Sequence, residues 1–195
     1  MATAFAPTIY DEFYVSGGWR YSTVREWLWH RKNLVKRFDL PRGLRMLEVA
    51  CGIGFHTNLF CRMGFDCVGL DINASGIEYA KKKYPKRTYV HADATTDLPF
   101  DESSFDIIIT RGCSLYHYDL AGETAVGLTR NLMRYLKPGG RFILIIATDC
   151  SGRRPSDNIW QNTLTDYRNH FERFDPDCTV DWYCGLSISS AQKKQ

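Results

Sequence analysis

The sequence predicts a single doubly wound α/β domain, a mostly parallel sheet with helices on both faces. Three observations predict it. From residue 45 onward, short apolar runs of strand length alternate with segments of helical length. The first run ends in a glycine turn, Gly52-Ile53-Gly54, that opens a helix. The second ends in a carboxylate, Asp71, 19 residues after Gly52.

Each element has its own local reason. The first twenty residues carry Tyr10, Phe13, Tyr14 and Trp19 among glycines, without a clean period. Thr23-Val-Arg-Glu26 has capping-box spacing, and Val24, Trp27, Leu28, Leu34, Val35 and Phe38 recur at helical spacing. A helix is therefore expected over 23–38, stopped by Pro41 and Gly43. Strands are expected over 46–50, 67–70, 89–91, 105–110 and 142–147. Helices are expected over 56–63, ended by Gly64; over 74–84, ended by Pro85; and over 123–136, ended by Lys137-Pro138-Gly139-Gly140. A further helix is expected over 157–174, then two short strands, 179–184 and 186–189, that form a C-terminal antiparallel hairpin. Residues 1–43 read as an N-terminal lid and helix, and 44–195 as the core of the same domain.

The totals agree with one core. The chain has 195 residues, 44% of them hydrophobic and 24% charged, which suits a packed domain rather than a disordered one. A net charge of +3, spread along the chain, is too small to mark a nucleic-acid track. Seven cysteines include no C-x-x-C pair and no Cys/His cluster at zinc spacing, so reduced, buried thiols and no metal site are expected. No segment has the length of a membrane span or the pattern of a signal peptide, so a cytoplasmic protein is expected.

The chemistry gathers at the ends of the first strands. Glycines after the first strand let a ligand approach the backbone, and the following helix offers free amides. The third glycine of a dinucleotide fingerprint is replaced by Thr57, which disfavours a pyrophosphate. Asp71 stands at the separation where a carboxylate accepts from ribose hydroxyls, although it could also cap the next helix. Asp93, in His91-Ala-Asp-Ala94, could accept from an adenine amino group or serve as a turn aspartate.

Taken together, LEVACGIGFHT, VGLDIN, HADATTDLPF, SFDIIITRGCSLYHY and LKPGGRFILI, over residues 44–147, resemble the class I S-adenosylmethionine-dependent methyltransferases. The similarity is greatest to their small-molecule, type 11/25-like branch. It implies a Rossmann-like, seven-stranded, mostly parallel sheet and S-adenosyl-L-methionine as cofactor, with S-adenosyl-L-homocysteine as product. It places Glu48 and the backbone of Ala50, Gly52 and Gly54 around the methionine end. Asp71 falls on the ribose, Ile72 on the adenine face, Asp93 and Ala94 at the adenine pocket, and Arg111 near the methionyl group. The chain departs from the pattern at Ala50, where glycine is common.

Methyl transfer from a sulfonium is an in-line displacement, so the protein mainly aligns the reactants and excludes water. A general base is optional. His117, with Tyr116 behind it, is the candidate for base or substrate contact in the segment after the fourth strand. TRGCSLYHY lacks the N-P-P-Y type tetrad of adenine- and glutamine-modifying enzymes, and a nucleic-acid acceptor is not expected. The short stretch after the fifth strand suggests a compact pocket and a small-molecule acceptor. Tyr10, Tyr14, Trp19 and Trp27 are expected to form the lid or simply to cover the sheet edge. The rival readings are a nicotinamide-dependent oxidoreductase, a non-catalytic binder of the nucleoside, and a methyltransferase acting on protein or RNA. The sequence fixes neither the acceptor nor the oligomeric state.

Overall fold

The computed structural model describes residues 10–16, 20–117, 119–148, 162–183 and 186–194. Its seven strands form one sheet in the order β3-β2-β1-β4-β5-β7-β6. The doubly wound α/β class is as the sequence predicts, and β6 and β7 supply the antiparallel end of the sheet. By contacts the chain falls into two compact units, Met1–Ala92 and Asp93–Gln195.

In the first unit, a short helix α1 (Asp11–Val15) precedes α2 (Thr23–His30), which continues as a π-helical stretch, Arg31–Lys36. Then come β1 (Arg45–Val49), α3 (Phe55–Met63), β2 (Asp66–Asp71), α4 (Ala74–Lys83) and β3 (Thr88–His91). β1 pairs with β2 and β2 with β3, all parallel. β1 and β2 bury nearly every side chain, as parallel strands covered on both faces do, while β3 at the edge buries only Tyr89. Gly64, at φ 102°, ends α3 in the left-handed conformation that favours glycine.

Two local expectations need correction here. The cap of α2 is Ser22, whose hydroxyl accepts from the Arg25 amide, and not Thr23. The apolar period is right only in part: Leu34 is buried, but Val24 and Leu28 are 68% and 60% exposed, and His30 and Asn33 are buried in their stead. A polar side chain can replace an apolar one on the inner face when its hydrogen bonds are met. His30 donates Nδ1–H to the Glu26 carbonyl, and Asn33 Nδ2 to that of Trp29.

The second unit holds β4 (Phe105–Arg111), a 3₁₀ turn (Ser114–His117), α5 (Glu123–Tyr135), β5 (Leu136–Ala147), α6 (Leu164–Phe171), β6 (Thr179–Tyr183) and β7 (Leu186–Gln192). β4 and β5 are parallel, and β7 pairs antiparallel with both β5 and β6. Lys137-Pro-Gly-Gly140 ends α5 as expected, but lies inside β5 as an irregularity: Phe105 pairs with Leu136 and Ile107 with Arg141. Gly140 is needed there, because a Cβ would stand 2.8 Å from the Lys137 carbonyl oxygen. Thr163 and Asp166 form a full capping box at the start of α6, so the helix is shorter at both ends than the expected 157–174. Residues 157–161 of that expectation lie outside the described residues.

Of the described cysteines, which form no disulfide, Cys51, Cys67, Cys113 and Cys178 are buried and Cys61 is half-buried. Among the described residues, no helix is long and apolar enough to cross a membrane.

Candidate active site

The turn after β1 places three left-handed residues close together: Ala50 at φ 60°, Gly52 at 50° and Gly54 at 74°. Alanine is the unusual one, because its Cβ crowds the backbone in that conformation. The turn is pinned by the Cys51 amide on the Leu70 carbonyl and by the Gly52 amide on Asp71 Oδ2, at 3.0 and 2.7 Å. Asp71 Oδ1 accepts from the Asn73 amide at 2.8 Å, so each oxygen of one buried carboxylate holds one amide. Burial pushes this carboxyl up from the ordinary aspartate range, while the Asn73 and Gly52 amides and nearby His91 pull it down. Two N–H donors require an acceptor, which the ionised carboxylate supplies. Its oxygens have about four lone-pair sites, and the Ile72 amide takes a share beside those of Gly52 and Asn73, so acceptor capacity remains for a further donor.

Glu48 is buried on β1 and accepts from the Thr57 hydroxyl. Thr57 stands where a dinucleotide fingerprint has its third glycine, yet α3 and β2 still approach closely. The missing glycine is on the strand: a Cβ on Gly69 would lie 2.5 Å from Thr57 Oγ1 and 2.9 Å from Cys51 Sγ. Composition on the helix alone could not reveal this exchange.

Two residues outside the expected set complete this part. Asn73 caps α4 by accepting from the Gly76 amide at 2.7 Å, and its Nδ2 donates to Asp11 of α1 at 2.8 Å. That bond seats α1 so that Tyr14 lies against both glycines: a Cβ would be 3.1 Å from its hydroxyl oxygen at Gly52, and 3.1 Å from its ring at Gly76. Burial, and then the Asp71 charge, push the Tyr14 phenol far above its ordinary pKa, so it stays a donor. Tyr10 stacks on Tyr14 with ring centres 5.6 Å apart. Trp27, another expected lid residue, instead lies under the Arg62 guanidinium, and Trp19 lies outside the described residues. Ile72 is 45% exposed at the end of β2, with its carbonyl 2.9 Å from His91 Nε2.

In the second unit, Asp93 behaves as a turn aspartate through Oδ1, which accepts the amide and hydroxyl of Thr95 at 2.9 and 2.7 Å. Asn131 of α5 donates to the Ala94 and Thr96 carbonyls, fixing this loop. Arg111 ends β4, and a Cβ on the next residue, Gly112, would meet nothing within 4 Å. Tyr116 is fully buried; its hydroxyl bonds Thr129 Oγ1, which also bonds His170 Nε2, each at 2.8 Å. The Tyr116 hydroxyl is thus engaged in a core network. His117 Nδ1 is buried without a hydrogen-bond partner among the described residues, and burial lowers its pKa below the usual 6.5. The imidazole is neutral at pH 7 and has an unused polar atom.

The residues present fit an adenosine-containing cofactor with an amino-acid end. Glycines stand where side chains would meet Tyr14, a buried carboxylate keeps acceptor capacity at the end of β2, and an apolar side chain is exposed beside it. The sequence comparison agrees: residues 47–144 match the methyltransferase domain family. The chain belongs to that family, the class I S-adenosylmethionine-dependent methyltransferases, whose cofactor is S-adenosylmethionine.

An uncharacterized methyltransferase of Synechocystis is 32% identical over 71% of this chain and 61% of its own. A demethylmenaquinone methyltransferase of Paenarthrobacter aurescens is 28% identical over 74% of this chain and 51% of its own. The chain thus spans between half and two thirds of the length of these two relatives. A solved structure of phosphoethanolamine N-methyltransferase 2 from Haemonchus contortus, in complex with S-adenosyl-L-methionine, superposes with a TM-score of 0.69 and 18% identity. That likeness covers 100% of this chain and 59% of the other, and shows the fold.

Proposed function

We propose that this chain transfers a methyl group from S-adenosylmethionine to a small-molecule acceptor bearing an oxygen, nitrogen or sulfur nucleophile. The observation that carries the reading is Asp71, held by the Gly52 and Asn73 amides with acceptor capacity to spare, next to exposed Ile72. In this reading Asp71 accepts from the ribose hydroxyls and Ile72 packs on the adenine. Asp93 and Ala94 mark the adenine pocket. Glu48, the backbone of Ala50, Gly52 and Gly54, and Arg111 surround the methionine end. Tyr14 covers the glycine turn and keeps water from it.

Bound there, the cofactor supplies a methyl group on a positively charged sulfur, which needs alignment more than acid catalysis. His117 accepts the proton released by the acceptor's nucleophile, through a nitrogen that is neutral at physiological pH. A small acceptor is supported by the relative named for demethylmenaquinone methylation and by the absence of an N-P-P-Y type tetrad after β4.

The test is a transfer assay with cofactor labelled in its methyl group, offered to pools of phenols, quinols, amines and thiols, and in parallel to RNA and to protein. Label in a small-molecule pool is expected. Label in RNA or protein would overturn the choice of acceptor. No transfer to any pool, despite proven cofactor binding, would favour a non-catalytic binder.

A further inference from the structure

Away from the glycine turn, the first unit brings together one carboxylate and two imidazoles. Glu26 and His30 stand one turn apart on α2, and His56 lies in the first turn of α3. One ligand atom from each lies within 4.8 Å of the other two. His56 Nε2 is 3.3 Å from Glu26 Oε2, and His30 Nδ1 is 3.6 Å from the same oxygen. The first is a long hydrogen bond, beyond the roughly 2.7–2.9 Å of a short charge-assisted one. The His56–Glu26 separation matches the spacing of ligands around a tetrahedral ion, whose bonds of about 2.0–2.1 Å hold its ligand atoms roughly 3.3 Å apart.

The surroundings suit an ion as well. His30 is fully buried, His56 nearly so, and the Glu26 side chain is 16% exposed. The rings of Tyr21, Phe55 and Phe60 pack on the imidazoles and form an apolar wall. The Glu26 carbonyl, 2.8 Å from His30 Nδ1, orients that ring. Where the carbonyl keeps the Nδ1 proton, the ring ligates through Nε2, the usual arrangement for a histidine held by a backbone acceptor. Two neutral imidazoles and one carboxylate form a set that zinc accepts, with a fourth position left for water.

We propose that Glu26, His30 and His56 bind a divalent ion of the zinc class, which fastens α2 to the start of α3 beside the Gly54 turn. No motif announces it, because the ligands come from two helices and lack the paired spacing of zinc ribbons. The ion binds without any change in oxidation state and releases protons from whichever imidazole carried them.

The test uses the full chain, stripped with a chelator and titrated at neutral pH with Co²⁺ and then Zn²⁺. Glu26→Gln and His56→Gln variants are run beside it, with folding checked by circular dichroism. One Co²⁺ per chain is expected, with the visible absorption of a tetrahedral site, displaced by Zn²⁺. Affinity is expected to fall by at least about tenfold in each variant. Zn²⁺ should also raise the melting temperature of the unaltered chain and not that of the variants. No bound ion, or equal binding by folded variants, would overturn the proposal.

Discussion

At the scale of single residues, Ala50 and His117 carry the sharpest expectations. Ala50 pays a steric penalty at φ 60° that glycine does not, roughly 1–2 kcal/mol, part of which is offset by glycine's greater freedom in the unfolded chain. Ala50→Gly should therefore raise stability by about 1 kcal/mol, or about 2–4 °C in melting temperature for a chain of this size. A calorimetric scan showing a fall would mean that the Ala50 methyl makes contacts worth more than the strain. The sequence flagged this position as a departure from the resembling family, but only the backbone shows its physical consequence.

His117 makes a statement about pH. Burial lowers its folded pKa below 6.5, so the neutral, proton-accepting form persists under mildly acidic conditions. With a hydroxyl acceptor, kcat/KM should hold through pH 6.5 and fall only as pH drops through that lowered value. His117→Gln should remove this limb and cost about 10²–10⁴-fold in rate, with far less effect on an amine acceptor. An unchanged profile in the variant would return His117 to a packing role. The sequence singled out Tyr116 and His117 together. What separates them, a buried network on one and an unused nitrogen on the other, is tertiary and has no sequence signature.

At the scale of elements, what the sequence shows depends on whether neighbours in the chain are also neighbours in space. Strands β1 to β4 begin and end within one or two residues of the apolar runs, because each run is bounded by its own turn residues. The buried face of helix α2 was misread in part, because His30 and Asn33 each bond a carbonyl of the helix and face inward as apolar residues would. The irregularity in β5 was hidden for a similar reason: Pro138, Gly139 and Gly140 signal a turn, and nothing local says that strand pairing resumes around it.

Helix α1 is too short to be stable alone, and holds its place through Asp11 on Asn73 and Tyr14 on the two glycines. If it serves as the cover of the cofactor, Tyr14→Ala should weaken S-adenosylmethionine binding by about tenfold, or about 1.4 kcal/mol. Tyr14→Phe, which keeps the ring, should cost less. Equal affinity in all three proteins, measured by calorimetry, would leave α1 as a simple covering of the strand ends.

At the scale of the whole molecule, alternation of strands and helices was enough to predict the doubly wound class. The order of the seven strands, and the antiparallel return of β7 beside β5, came only with the structure. The cofactor was legible because the recognition proposed for it is built on backbone turns at fixed separations, Gly52 to Asp71 above all. The acceptor was not legible: TRGCSLYHY lacks an N-P-P-Y type tetrad and carries no motif for a particular acceptor. The most direct test of the account is calorimetric titration with S-adenosylmethionine and S-adenosylhomocysteine, with NAD as a control and Asp71→Ala as the variant. The account predicts that both sulfur ligands bind at micromolar concentrations, that NAD does not, and that the folded variant loses binding. A folded, unaltered chain that binds neither sulfur ligand would contradict it.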